Sequence, residues 1–214
     1  MNGIEFVKPA DIEKRSFEII QKELTQMGIV LPPEQDMITR RAIHTSADFE
    51  YAKTMTYSEN AVEIAKDLIR NGAYIVTDTN MGLSGVNKKV LATFGGSAKC
   101  FMAEPDVIEE AKERGLTRAT VSMERAAKLD RPVIFAIGNA PTALISIYEL
   151  MQKSDWKPAF VIGVPVGFVN VEASKELFIG TDIPYIINRG RKGGSNVAAA
   201  ICNALLYELR KERE

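Results

Sequence analysis

Gly190–Leu205 reads GRKGGSNVAAAICNAL and follows the apolar run Ile183-Pro184-Tyr185-Ile186-Ile187. The run is short and rich in isoleucine, the pattern of a buried strand. Beyond the glycines, apolar residues recur at Val197, Ile201 and Leu205, one face of a helix. A strand, a basic glycine loop and a helix start thus follow one another, which belongs to an α/β fold. The junction also suits an anion, because first-turn N–H groups are free and the helix dipole adds partial positive charge. Arg189, Arg191 and Lys192 add full charges, and Ser195 is a candidate cap. Neither the GxGxxG nor the GxxxxGK[ST] phosphate fingerprint is present. A tight turn without a ligand also needs glycine, so the loop alone leaves both readings open.

The same alternation extends upstream. Apolar, β-branched runs at Ala73–Thr77, Lys99–Met102, Pro132–Ile137, Ala159–Gly163 and Pro184–Asn188 predict five strands. Between them, helical periodicity falls near Val86–Thr93, Asp106–Arg114, Val121–Leu129, Pro141–Met151 and Val171–Phe178. Asp106 and Glu109 have capping-box spacing. A last helix runs from Asn196 to the end. Three helices come first, over Asp11–Met27, about Pro32–Thr45 and Ser58–Asn71. Helical crossovers between apolar strands predict a five-stranded parallel sheet covered on both faces, in a single domain without repeats.

Composition limits the function. The 214 residues are 46% hydrophobic and 26% charged, with a net charge of −1. No basic excess points to nucleic acid. The longest apolar stretch, Ala159–Val169, is too short to span a bilayer. The amino terminus, MNGIEFVKPADIEKR, has no apolar signal core and reads as cytosolic. Cys100, in a strand, and Cys202, in the last helix, read as separate buried thiols. One histidine, no clustered carboxylates and no cysteine pair make a metal centre improbable. No G-x-S-x-G elbow is present, although Gly82-Leu83-Ser84-Gly85 superficially suggests one.

Unusual residues cluster where strands end. Those loops hold Asp78-Thr79-Asn80-Met81, Gly138-Asn139-Ala140-Pro141, Pro165-Val166-Gly167-Phe168 and the basic glycine loop. Ligands of open α/β sheets bind outside the carboxyl ends of the strands. His44 is the one side chain suited to proton exchange near neutrality, although a lone histidine is more often structural. Arg41 precedes it by three residues on the same helix face. A cation there opposes imidazolium formation unless a bound anion offsets it. Ser16 interrupts the stripe of Ile12 and Ile20. Its hydroxyl either bonds back to the preceding turn or faces a ligand. Arg118 starts a helix, where its charge does not serve the helix dipole. It fits an outside anion or plain solvent equally.

Together, these segments resemble the precorrin-8X methylmutase family of cobalamin biosynthesis. The resemblance rests on Lys14–Ile20 (KRSFEII), Arg41–Asp48, Thr77–Met81 and Thr117-Arg118. It continues through Ile137–Leu144 (IGNAPTAL), Pro165–Glu176 (PVGFVNVEASKE) and Gly190–Ala200. The matches run from the first helix to the last, and IGNAPTAL and PVGF are the specific ones.

The resemblance implies a flavodoxin-like three-layer sandwich that forms a homodimer. It implies an intramolecular shift of a methyl group from C11 to C12 of precorrin-8 or cobalt-precorrin-8. The product is hydrogenobyrinate, or cobyrinate when cobalt is already in the ring, and no added cofactor is needed. By the same resemblance His44 protonates the macrocycle, and Ser16 and Arg41 bind substrate. Arg118, Lys192, Gly193 and Gly194 match motifs placed around that substrate. The run after His44, Thr-Ser-Ala-Asp, is more similar to members of the cobalt pathway. Two other readings stay open: a flavodoxin-like esterase or nucleotide enzyme, and a non-catalytic corrinoid carrier.

Overall fold

The apolar runs assemble into a six-stranded sheet in the computed structural model, which describes residues 5–213. After a 3-10 turn at Pro9–Asp11 come α1 (Ile12–Gln26), α2 (Pro33–Ser46) and the one-turn α3 (Tyr51–Thr54). Then follow β1 (Met55–Tyr57), α4 (Ala61–Arg70), β2 (Tyr74–Thr77), α5 (Asn80–Gly85), α6 (Lys88–Thr93) and β3 (Ser97–Lys99). The chain continues through α7 (Pro105–Glu113), α8 (Arg118–Ala126), β4 (Val133–Ile137), α9 (Pro141–Lys153) and β5 (Phe160–Gly163). It closes with α10 (Val171–Glu176), β6 (Tyr185–Asn188) and α11 (Ser195–Lys211). The ends of the chain, including residues 1–4 of the expected signal-free terminus, lie outside the described residues.

The spatial order is β1-β6-β5-β4-β2-β3. β2 to β6 are mutually parallel, and β1 is antiparallel to β6, with Thr56 opposite Ile187. The expected five-stranded parallel sheet is therefore five parallel strands plus an antiparallel edge. β1 has three half-buried residues and no alternation to mark it, yet it pairs the groups that β6 would leave bare at an edge. The expected strand at Lys99–Met102 lies at Ser97–Lys99, because pairing with β2 ends at Val76 opposite Lys99. Cys100 is thus half-buried just past a strand, whereas Cys202 is fully buried and its thiol is pushed up to about 12 by burial.

Period-two alternation divides the strands between two cores. Ile75, Ile134, Ala136, Ile162 and Ile186 face the helices α1, α2, α4 and α11. Val76, Phe135, Ile137, Val161 and Ile187 face α7, α8 and α9. Several helix starts differ from expectation. Asn80–Gly85, read as a loop, is α5, capped by Thr79 Oγ1 accepting from the Gly82 amide at 3.0 Å. α7 starts at Pro105 behind Glu104, so Asp106 is inside the helix and pairs with Arg125 at 2.7 Å instead of forming a capping box. Ser195 is likewise inside α11, whose cap position is Gly194; its hydroxyl shares a 2.7 Å hydrogen bond with Thr79.

The carboxyl ends of the strands are tied together across the sheet. Buried Asp78, after β2, accepts from the amides of Gly138 (2.9 Å), Asn139 (2.8 Å) and Ala140 (2.5 Å), after β4. Burial pushes this carboxyl upward against the pull of the three amides.

Candidate active site

His44 sits in the last turn of α2, exposed, with its imidazole stacked on Phe17 of α1. The ring centroids are 5.3 Å apart and the planes 17° from parallel. Arg41, one turn earlier, lies between two aromatic rings. Its guanidinium carbon is 5.0 Å from the Phe17 centroid and 5.1 Å from that of Tyr207 on α11. It donates to Glu13 at 2.5 Å, while its Nε is buried with no hydrogen-bond partner among the described residues. An orphaned charged donor of this kind is costly unless a ligand meets it.

Two grooves meet at Arg41 and Tyr207. One, about 290 Å³, is lined by His44, Thr45, Gly85, Asn196, Ala199 and Asn203. The other, about 340 Å³, is lined by Glu13, Met37, Asn87 and Glu208. Small residues make the floor of the first: a Cβ on Gly85 would come within 2.7 Å of the Ala199 methyl. A comparable cavity of about 330 Å³ beside Tyr57 and Asn60 contains none of the expected residues, so volume does not select the site. Titratable and aromatic groups do.

The expected residues separate into four places. His44 and Arg41 line one groove. Ser16 is next to Phe17 but lines neither groove, and its hydroxyl donates to the Ile12 carbonyl at 3.0 Å. The back-bonded alternative is the observed one. Arg118 is exposed in the first turn of α8 and reaches the Met102 carbonyl at 3.5 Å. That carbonyl is in the loop after β3, four strand positions from β6, about 19 Å at ordinary strand spacing.

The glycine loop stands at the start of α11, beside the His44 groove. Lys192 is already paired with Asp48 (2.5 Å) and Glu50 (2.7 Å), and Arg191 with Glu172 (2.9 Å). The Gly194 amide, expected as an anion donor, donates to the Val164 carbonyl at 2.9 Å. Glycine is required here on steric grounds as well. A Cβ on Gly193 would lie 2.0 Å from the Val164 carbonyl oxygen, and Gly194 has φ +144°. Sequence reasoning missed Phe17, Tyr207 and Asn196. Phe17 and Tyr207 look like ordinary core aromatics, and only the crossing of α1 and α11 over α2 gives them a role.

Residues 11–208 match the family model described as precorrin-8X methylmutase. The chain belongs to the precorrin-8X methylmutase family. It is 43% identical to the cobalt-precorrin-8 methylmutase of Priestia megaterium, over 93% of this chain and 88% of that protein. It is 42% identical to the cobalt-precorrin-8 methylmutase of Salmonella typhimurium, over 95% and 97%. The precorrin-8X methylmutase of Pseudomonas aeruginosa is 35% identical, over 92% and 94%. A solved structure, the precorrin-8x methyl mutase of Thermus thermophilus, superposes with a TM-score of 0.84 at 34% identity, over 94% of this chain and 98% of that one. As a member of this methylmutase family, the chain is an isomerase of cobalamin biosynthesis, and neither the phosphate-enzyme nor the carrier reading is favoured. No helix among the described residues is long and apolar enough to cross a membrane.

Proposed function

We propose that this methylmutase moves a methyl group from C11 to C12 of cobalt-precorrin-8 or precorrin-8, with His44 exchanging the proton that the rearrangement requires. The observation that carries this reading is the His44 constellation: an imidazole fixed on Phe17, open to a groove, beside an arginine with an orphaned buried donor. Stacking fixes the ring plane while leaving the nitrogens accessible. A substrate carboxylate on the free Nε of Arg41 offsets the cation and favours the imidazolium. The macrocycle accepts the proton, the methyl migrates within the molecule, and proton return restores the imidazolium. Nothing is gained or lost in mass.

Ser16 reaches substrate only after its hydroxyl leaves the Ile12 carbonyl, and Arg118 meets a more distant carboxylate. Lys192 takes a substrate carboxylate in exchange for Asp48 or Glu50, next to the Gly193 and Gly194 turn. The whole chain acts as one domain in the cytoplasm. The order β3-β2-β4-β5-β6 supports a flavodoxin-like core. Exposed Phe168 and Val169 after β5 support a homodimer that covers them. Names of the relatives in the cobalt pathway, at 43% and 42% identity, favour the cobalt-bearing substrate. The test is anaerobic incubation with each substrate, read by absorbance and mass. A spectral change at constant mass is expected, faster with cobalt-precorrin-8; a stoichiometric shift without turnover would make the protein a carrier.

A further inference from the structure

Lys175, on α10, is an anomaly behind the glycine loop. Its relative exposure is 0%, and its ammonium forms no ion pair among the described residues. Burying a lone charge is costly. Its two hydrogen bonds go to carbonyls, Gly190 at 2.7 Å and Lys192 at 2.9 Å. The neighbouring side-chain charges are matched elsewhere: Glu172 with Arg191, Glu176 with Arg189, and Lys192 with Asp48 and Glu50.

Peptide geometry gives this contact a consequence. In a trans peptide the C=O and the following N–H point in opposite directions, and no peptide among the described residues is cis. With the Gly190 and Lys192 carbonyls turned to the buried ammonium, the N–H groups of Arg191 and Gly193 turn away from it. Neither donates to another group among the described residues. The Lys192 carbonyl is held a second time, by Asn188 Nδ2 at 2.8 Å. The loop is therefore fixed from behind with two amides free.

We propose that Lys175 is a positioning residue for substrate: it turns loop 190–193 so that the Arg191 and Gly193 amides meet a substrate carboxylate, and its unmatched charge favours that anion. The proposal rests on the corrinoid reading above. Charge and shape are separable here. Burial lowers the ammonium to about 8, with Glu172 opposing. The neutral amine keeps enough N–H groups for both carbonyls, so raising the pH removes charge and leaves the contacts.

The experiment compares wild type, Lys175→Gln and Lys175→Met from pH 7 to 9.5. It uses absorbance titration with cobyrinate and hydrogenobyrinate, steady-state kinetics and thermal melts. Lys175→Gln keeps a donor without charge; at pH 7 its KM should rise about tenfold with kcat unchanged, a loss of uniform binding. Its affinity should then be flat with pH, while wild type should weaken about tenfold as the pH passes 8. Lys175→Met should bind more weakly still. A lower Tm with unchanged KM, or a flat wild-type profile, overturns the proposal, and the wild-type profile decides it if neither variant folds. If wild type binds no corrinoid, the functional reading fails. The same series with citrate, read by calorimetry, then decides Lys175 alone.

Discussion

His44, Arg41 and Ser16 differ in what each can offer a substrate. The imidazole is stacked and open, so truncation should remove chemistry and spare the fold. His44→Ala should lower turnover about 10²–10⁴-fold, the usual contribution of a general acid or base. Corrinoid affinity and Tm should stay near wild type; a rate above about a tenth of wild type would take the acid role away from His44. Arg41 brings an unmatched donor, whereas Ser16 Oγ–H is engaged by the Ile12 carbonyl. Arg41→Ala should therefore weaken corrinoid binding more than about tenfold, the scale of one charged hydrogen bond, and Ser16→Ala less than about threefold. Titration of both variants checks this, and equal losses would mean that the serine rotates on binding. From sequence alone the two serine roles were indistinguishable, because a hydroxyl's partner depends on its rotamer. The pairing of His44 with Arg41 was legible, since three residues along a helix brings side chains together. Phe17 was not, since a stacking partner on another helix leaves no periodicity.

At the scale of elements, strong signals survived and short elements did not. β2, β4, β5 and β6 each begin or end within a residue of the run that predicts them, because buried parallel strands are continuous apolar segments. β1 and α5 have three and six residues, too few to show a period. α5 even carries two glycines, and it forms because Thr79 caps it and the α11 methyls accept its close approach. The capping box at Asp106 failed because Pro105 prefers the first helical position. The contact that binds these pieces is Asp78 with the three amides after β4. Asp78→Asn keeps one carbonyl oxygen and puts an NH2 against an amide donor. It should destabilise the fold by about 2 kcal/mol, within the range for an unsatisfied buried donor. In a chain of this length that is about 4–8 °C in Tm. An unchanged melt would show that the amides find other acceptors.

For the whole molecule, α11 is the common support. It packs on α2, α4, α5 and α6 and on strands β4 and β5. Its start forms the glycine junction, its middle floors the His44 groove, and its end is held by charge. Glu212, just past α11, bridges Lys66 and Arg70 of α4. Lys66 and Arg70 are one turn apart on α4, but Glu212 lies 142 residues beyond Arg70, so no pattern in the chain marks this clamp. The hydrogen bond from Lys66, and then that from Arg70, hold the Glu212 carboxyl below its usual range. A carboxyl lowered by folding contributes stability above its unfolded value, near 4.3, and loses it as the pH falls through the folded value. Glu212 is 41% exposed, so solvent screens the pair and the contribution is up to about 1 kcal/mol. Glu212→Gln should therefore lower stability by up to about 1 kcal/mol at pH 7. The gap between the two proteins should close as the pH falls through the unfolded value near 4.3 and then through the lowered folded value of wild-type Glu212. Denaturant melts of both proteins across that range measure the gap. A gap that stays constant with pH would assign the loss to packing of the α11 terminus, not to its charge.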